Sequence, residues 1–234
     1  LRTRTLALST AFGAALLTAA ALPATARDGL VAAPPARADE GPVRAAELLA
    51  KVTSCSQVSR GKFRTDPGAA ATVPVCGLNG AVFWKADLDV DCDGQPTAAC
   101  NNKTDPWFQP DTRFHQANDK PLNAEKVPYV VVPGAGSLWD YGSAGVTGGT
   151  VVAVVYDNKV EYAVVGDTGP STTIGEASYA TAKALGMNPD PRTGGAESGV
   201  TYILFQHSQA TPIESHGAAA TLGQALAQEF LADN

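Results

Sequence analysis

GTVVAVVYDNKVEYAVVGDTGPSTTIGEASYATAKALGM, running from Gly149 to Met187, decides the fold. Two apolar segments, Thr150–Tyr156 and Val160–Val165, are rich in β-branched residues and joined by Asp157-Asn158-Lys159, which predicts a β-hairpin. The second segment stops at Gly166 and leaves a carboxylate, Asp167, at its exposed end. A Gly/Pro/Ser/Thr loop follows. A second carboxylate, Glu176, then opens an Ala-rich helix that closes near Gly186. Chain turned by Gly169-Pro170 can carry two acids, nine residues apart in sequence, to opposite walls of one cleft. General acid–base hydrolysis of a glycoside needs that pair.

Outward from this stretch, the chain divides into a short leader and one long globular part. Arg2 and Arg4 precede an apolar run, Leu6–Leu22, and Ala24-Thr25-Ala26 supplies small residues at a cleavage point. Residues 1–26 therefore read as a secretory signal peptide, too short and too interrupted by Ser9, Thr10 and Thr18 to be a membrane anchor. Residues 27–46 mix Pro, Ala and charge without a period and read as a linker or pro-segment. Residues 47–234 form the expected catalytic domain. The formal net charge of the whole sequence is −6 and becomes −8 once Arg2 and Arg4 are removed with the leader. An acidic extracellular chain with no basic patch disfavours nucleic acid and favours a cationic partner. A membrane partner is not expected, and a monomer is the default for such a chain.

Four cysteines, Cys55, Cys76, Cys92 and Cys100, fall within one third of the sequence and suit two disulfides in an oxidising compartment. Three pairings are open, of which Cys55–Cys76 with Cys92–Cys100 closes the most local loops. Neither the cysteines nor His115, His207 and His216 have metal-ligand spacing, so no metal and no cofactor are expected.

Further elements follow from period. Ala45–Ser56 predicts a short helix. Ala81–Asp91 alternates, with Leu88, Val90 and Cys92 on one side and Asp87, Asp89, Asp91 and Asp93 on the other. Val127–Pro133 and Val200–Phe205 predict strands, and Ile213–Leu231 a C-terminal helix. Many short strands with a few helices indicate a small closed barrel.

The acidic strand has two readings. Asp89-Val90-Asp91-Cys92-Asp93-Gly94 copies the opening of an EF-hand loop, but position twelve is Cys100 and not a bidentate Glu. The alternative is a face of carboxylates whose mutual repulsion is relieved by ammonium groups of a substrate, with Asp87, Asp89 and Asp91 as binding residues. Trp107 and Trp139 lie in Gly/Pro-rich loops and are expected to stack on sugar rings. Glu176 has a structural reading too, since Thr173-Ile174-Gly175-Glu176 fits a capping box at a helix start. No Gly-x-Ser-x-Gly elbow, phosphate loop or dinucleotide fingerprint is present.

Taken in order, the segments GAVFWKADLDVDCDG (80–94), TDPWFQ (104–109), VPYVVVP (127–133), VGDTGP (165–170) and IGEAS (174–178) resemble glycoside hydrolase family 75, a family of secreted endo-acting chitosanases. The resemblance covers about Leu48 to Phe230. It implies a mainly β fold with α additions around a six-stranded double-psi β-barrel. It also implies inverting endo-hydrolysis of β-1,4 bonds in chitosan or glucosamine oligosaccharides, with Asp167 and Glu176 as the essential pair. A helix N-terminus at Glu176 would favour it as ionised base, and an apolar setting would make Asp167 the acid. Substrate amines would favour the charged form of both, so the roles stay open. A non-catalytic, expansin-like polysaccharide-binding barrel is the competing reading.

Overall fold

The computed structural model describes residues 41–234. The expected signal peptide, and residues 27–40 of the expected linker, lie outside the described residues. Eight strands and three helices follow in chain order. Helix α1 (Ala45–Lys51) is followed by β1 (Ser56–Gln57), β2 (Cys76–Leu78) and β3 (Ala81–Asp91). Next come β4 (Tyr129–Pro133), β5 (Val151–Tyr156), β6 (Lys159–Gly169), β7 (Glu176–Ser178) and α2 (Tyr179–Leu185). The chain ends with β8 (Ala196–Phe205) and α3 (His216–Asp233).

Strands neighbour one another in the order β3-β7-β4-β6-β5-β8, and β8 returns to pair antiparallel along β3. The sheet therefore closes into a six-stranded barrel, as the many short strands predict, and among the described residues the barrel leaves no long edge unpaired. The hairpin is where the sequence places it. Tyr156 pairs with Lys159, and Asp157 and Asn158 turn the corner with φ of 45° and 59°, the left-handed geometry of a two-residue type I′ turn. Strand β6 continues past Val165 to Gly169, further than its apolar pattern.

Two apolar layers result from the period-2 alternation. One draws on every barrel strand, with Trp84, Leu88, Val130, Val154, Val165, Ala177 and Leu204 among its members, and fills the lumen. The other joins the outer face, through Tyr162, Val164 and Ile203, to Leu48 of α1 and Phe230 of α3. Full burial of each such Val or Leu stabilises by about 1.5–3 kcal/mol. Helix α3 lies so close to the wall that a side-chain carbon on its Gly223 would fall 2.3 Å from the Tyr162 ring. Both favoured disulfides, Cys55–Cys76 and Cys92–Cys100, are formed and tie β1 to β2 and the end of β3 to the following loop.

One expectation is corrected here. Glu176 does not open a helix. It is the first residue of β7, and α2 starts after it, with Ser178 as N-cap accepting from Thr181 N and Gly186 as left-handed C-cap (φ 82°). The capping-box reading of Thr173–Glu176 fails because Glu176 is held by β-register on both sides instead.

Candidate active site

Four strands cross the site side by side. Asp89 of β3 is in register with Glu176 of β7, Glu176 with Val131 of β4, and Val131 with Asp167 of β6. Register partners project to the same face, so Asp89, Glu176, Val131 and Asp167 form one row on the outside of the barrel wall. Strand β4 alone separates the two predicted acids. With neighbouring strands about 4.8 Å apart, their backbones are about 9.5 Å apart. Glu176 leans towards β6: its Oε2 lies 2.9 Å from where a Gly169 side chain would begin.

Asp167 reaches this row through a β-bulge. Val130 pairs with Val165 but Val131 pairs with Asp167, leaving Gly166 as the extra residue. Such a bulge re-aims the residue after it. It must be glycine, because a Cβ would fall 2.6 Å from both Leu122 Cδ1 and Tyr129 Cβ. The Asp167 carboxylate is buried, and its Oδ1 accepts from the backbone N–H groups of Arg113 and Thr168, both at 2.7 Å. Arg113, which lies in the loop before β4, was not predicted. It contributes only a backbone group, which leaves no signature in its residue type.

Strand β3 supplies the rest of the acidic surface. Asp87, Asp89 and Asp91 lie on one side of the strand, with Asp87 buried, Asp89 exposed and Asp91 between. Asp87 sits at an irregularity in the β3–β8 pairing, between Ala86 and Leu88. Its Oδ1 is buried without a hydrogen-bond partner and presses against Gly175, where a Cβ would fall 1.9 Å away. Beyond the strand, Asp93 Oδ1 accepts from Gln109 N and Asp105 Oδ1 from Trp107 N, which bends the 101–112 loop back onto the acids. The likeness to an EF-hand loop goes no further than sequence, since Asp89 and Asp91 belong to a strand and not to a loop between helices. A residue without any sequence signal joins the group: Asp66, whose loop is carried in by the Arg64–Thr173 bridge. One carboxylate oxygen from each of Asp66, Asp87 and Asp89 lies within 4.8 Å of the others.

Electrostatics follow from this crowding. Burial first, then the charges of Asp89, Asp93 and Asp167, pushes the Glu176 carboxyl up to about 7. Burial first and Asp89 next push Asp87 up to about 7. Asp91 is raised by burial and by Asp93 and Asp167. Asp167 is raised by burial, which its two backbone N–H donors partly oppose.

The two predicted stacking residues part company. Trp107 is 83% exposed, at the tip of the loop tied to Asp93 and Asp105. Trp139 is corrected: it is only 7% exposed and packs edge-on to Trp84, with ring centroids 6.2 Å apart. Its flanking glycines suggested a solvent-facing loop, yet the indole fills the end of the lumen. It touches a cavity of about 590 Å³ with Leu138 and Asp140, and its ring face is not free to stack. Among the described residues no helix is long and apolar enough to cross a membrane.

Comparison with known proteins finds a family and several relatives. Residues 88–232 match the family model described as fungal chitosanase of glycosyl hydrolase group 75. An endo-chitosanase of Aspergillus oryzae is 33% identical over 141 residues, covering 56% of this chain and 58% of that protein. An endo-chitosanase of Aspergillus fumigatus is 30% identical over 191 residues, covering 75% of this chain and 79% of that protein. An endo-chitosanase B of Aspergillus oryzae is 31% identical over 157 residues, covering 60% and 65% respectively. The chain thus spans little more than half the length of the first of these relatives.

Proposed function

From the premise that this chain belongs to glycosyl hydrolase group 75, we propose that it is an extracellular endo-hydrolase of the β-1,4 bonds of chitosan. The observation that carries the reading is the row across β7, β4 and β6, in which Glu176 and Asp167 flank Val131 on one face. Glu176, pushed up to about 7, is the general acid and protonates the leaving glycosidic oxygen. Asp167, stabilised as carboxylate by the Arg113 and Thr168 N–H groups, is the general base that draws a proton from water on the opposite side of the ring. Backbones about 9.5 Å apart, with Glu176 leaning inward, suit carboxyls about 6.5–9.5 Å apart, the spacing that leaves room for a water and inverts the anomeric centre.

Asp87, Asp89 and Asp91 give the cleft the sign needed to attract a polymer of glucosamine, and Trp107 offers an exposed ring at its side. The chemistry calls for no cofactor. The two disulfides suit an oxidising, extracellular setting, and the reading is of a monomer.

The test is release of reducing ends from soluble chitosan by the wild type, Asp167→Asn and Glu176→Gln. Loss of about two to four decades of activity in each folded variant is expected. In the wild type, kcat/KM should fall as pH rises through about 7, where Glu176 gives up its proton. Binding of chitosan by the wild type without release of reducing ends would establish the binding-barrel alternative instead.

A further inference from the structure

We propose that Asp66, Asp87 and Asp89 form an ammonium socket beside Glu176 that reads the free amine of the sugar next to the scissile bond. The inference rests on the chitosan reading above and deepens it. It adds Asp66, and it gives the three acids a role in selecting glucosamine over N-acetylglucosamine.

The geometry points there from three sides. A primary ammonium has three N–H donors and no acceptor. With charge-assisted bonds of about 2.8 Å directed along those three N–H bonds, the accepting oxygens lie about 4.6 Å apart. The socket oxygens lie within 4.8 Å of one another. A calcium ion asks for six to eight oxygens; one oxygen from each of the three carboxylates converges here, which matches three N–H donors one to one. Asp87 supplies an independent sign of a missing ligand, because the residue is only 6% exposed and its buried Oδ1 has no hydrogen-bond partner. Asp66 Oδ2 is met only by the Thr65 hydroxyl at 3.2 Å, and among the described residues no Lys or Arg pairs with any of the three. A buried acid facing two others and no cation is costly unless a cation arrives.

Position supplies the specificity. Asp89 is the register partner of Glu176, so the socket begins one strand from the proton donor. Gly175, directly before Glu176, leaves the gap that lets Asp87 approach, since any side chain there would collide with its Oδ1. An acetamido group carries a methyl and one N–H in place of three N–H donors and a charge, so it would leave two of the three acceptors without partners and bring no counter-charge to the one that is buried, Asp87. That asymmetry makes discrimination against the acetylated unit strong.

Asp66 is the residue to change, because it is exposed and its loss removes one charge without opening the core. Steady-state kinetics of wild type and Asp66→Asn are measured on fully deacetylated soluble chitosan. The sugar units flanking the cleaved bonds of a partly acetylated chitosan are then read by mass spectrometry of the products. Calorimetric titrations with glucosamine hexamer, cellohexaose and calcium chloride complete the set. Asp66→Asn should raise KM for deacetylated chitosan about tenfold or more, the loss of one charged hydrogen bond, with kcat within a few-fold of wild type. It should also admit N-acetylglucosamine to a position where the wild type takes only glucosamine, and Asp66→Glu should recover part of that selectivity. Unchanged KM and unchanged flanking sugars in an active enzyme would overturn the socket while leaving the chitosanase reading in place. Stoichiometric calcium binding lost in Asp66→Asn would overturn it in favour of a metal site. A wild type that releases no reducing ends refutes the hydrolase reading instead; the socket then stands only if glucosamine hexamer binds more tightly than cellohexaose and Asp66→Asn abolishes the difference.

Discussion

Glu176→Gln should make the protein more stable at neutral pH while disabling it. The Glu176 carboxyl rises from its ordinary value of 4.5 to about 7 in the folded chain, burial being the main cause and the charges of Asp89, Asp93 and Asp167 adding to it. Between those two values the folded state holds a proton that the unfolded state has released. Stability therefore falls as pH rises through this window, and it is highest below pH 4.5, where both states are protonated. A displacement of about 2.5 pH units, at 1.36 kcal/mol each, is worth about 3 kcal/mol. Gln is isosteric, uncharged and does not titrate, so it escapes this penalty. Urea unfolding at pH 4.5 and pH 8, followed by tryptophan fluorescence, measures the effect. The stability gap between variant and wild type should widen by about 3 kcal/mol in favour of the variant from the lower to the higher pH. Parallel pH dependences in the two proteins would refute the account, because they would mean that Glu176 is as well solvated folded as unfolded.

Two further substitutions test the frame around the acids. Gly166→Ala places a carbon 2.6 Å from Leu122 and Tyr129; it should cost about 1–3 kcal/mol in chemical denaturation. By displacing Asp167 it should also lower kcat about a hundredfold, with KM much less affected. Trp107→Ala removes an 83% exposed ring, so unfolding should stay within about 0.5 kcal/mol of wild type. KM for long chitosan should rise about two- to tenfold if the ring stacks on sugar, and an unchanged KM would remove Trp107 from the binding surface.

The barrel was legible because its strands are long enough to show a pattern. Val151–Tyr156 is a continuous apolar run rich in β-branched residues, Lys85–Asp91 alternates, and the Asp157-Asn158 corner announces a turn. Strand β7 was not legible. Three residues carry no period, and the alanines after Glu176 extended the helix pattern backwards over it. Asp167 and Glu176 were nonetheless singled out, since both lie within recognisable motifs, and the fold sets them in one row across β4. Trp139 misled because glycines around an aromatic suggest exposure, while the lumen end beside Trp84 needed a large ring to fill it. Asp66 and Arg113 left no trace for a different reason. Each joins the site through backbone pairing or a backbone N–H, and pairing between distant segments is invisible to any local pattern.

Strand β7 also bears on how the molecule comes together. Strands β3 and β8 zip over most of their lengths, as do β5 and β6, whereas β7 touches β3 only along Asp89–Asp91 and β4 only at Val130 and Val131. It is the narrowest seam in the circle, and it joins segments far apart in the chain, which are the slowest to meet during folding. Before that seam shuts, Glu176 has no fixed relation to Asp167, and the β3 acids lie at the opposite edge of the open sheet from β4. With Asp167 and Glu176 as the proposed acid pair, catalytic competence and cylinder closure become one event. A partly assembled chain would hold well-made strands and no working pair of acids, so the cell would not meet a half-folded species able to cut polymer.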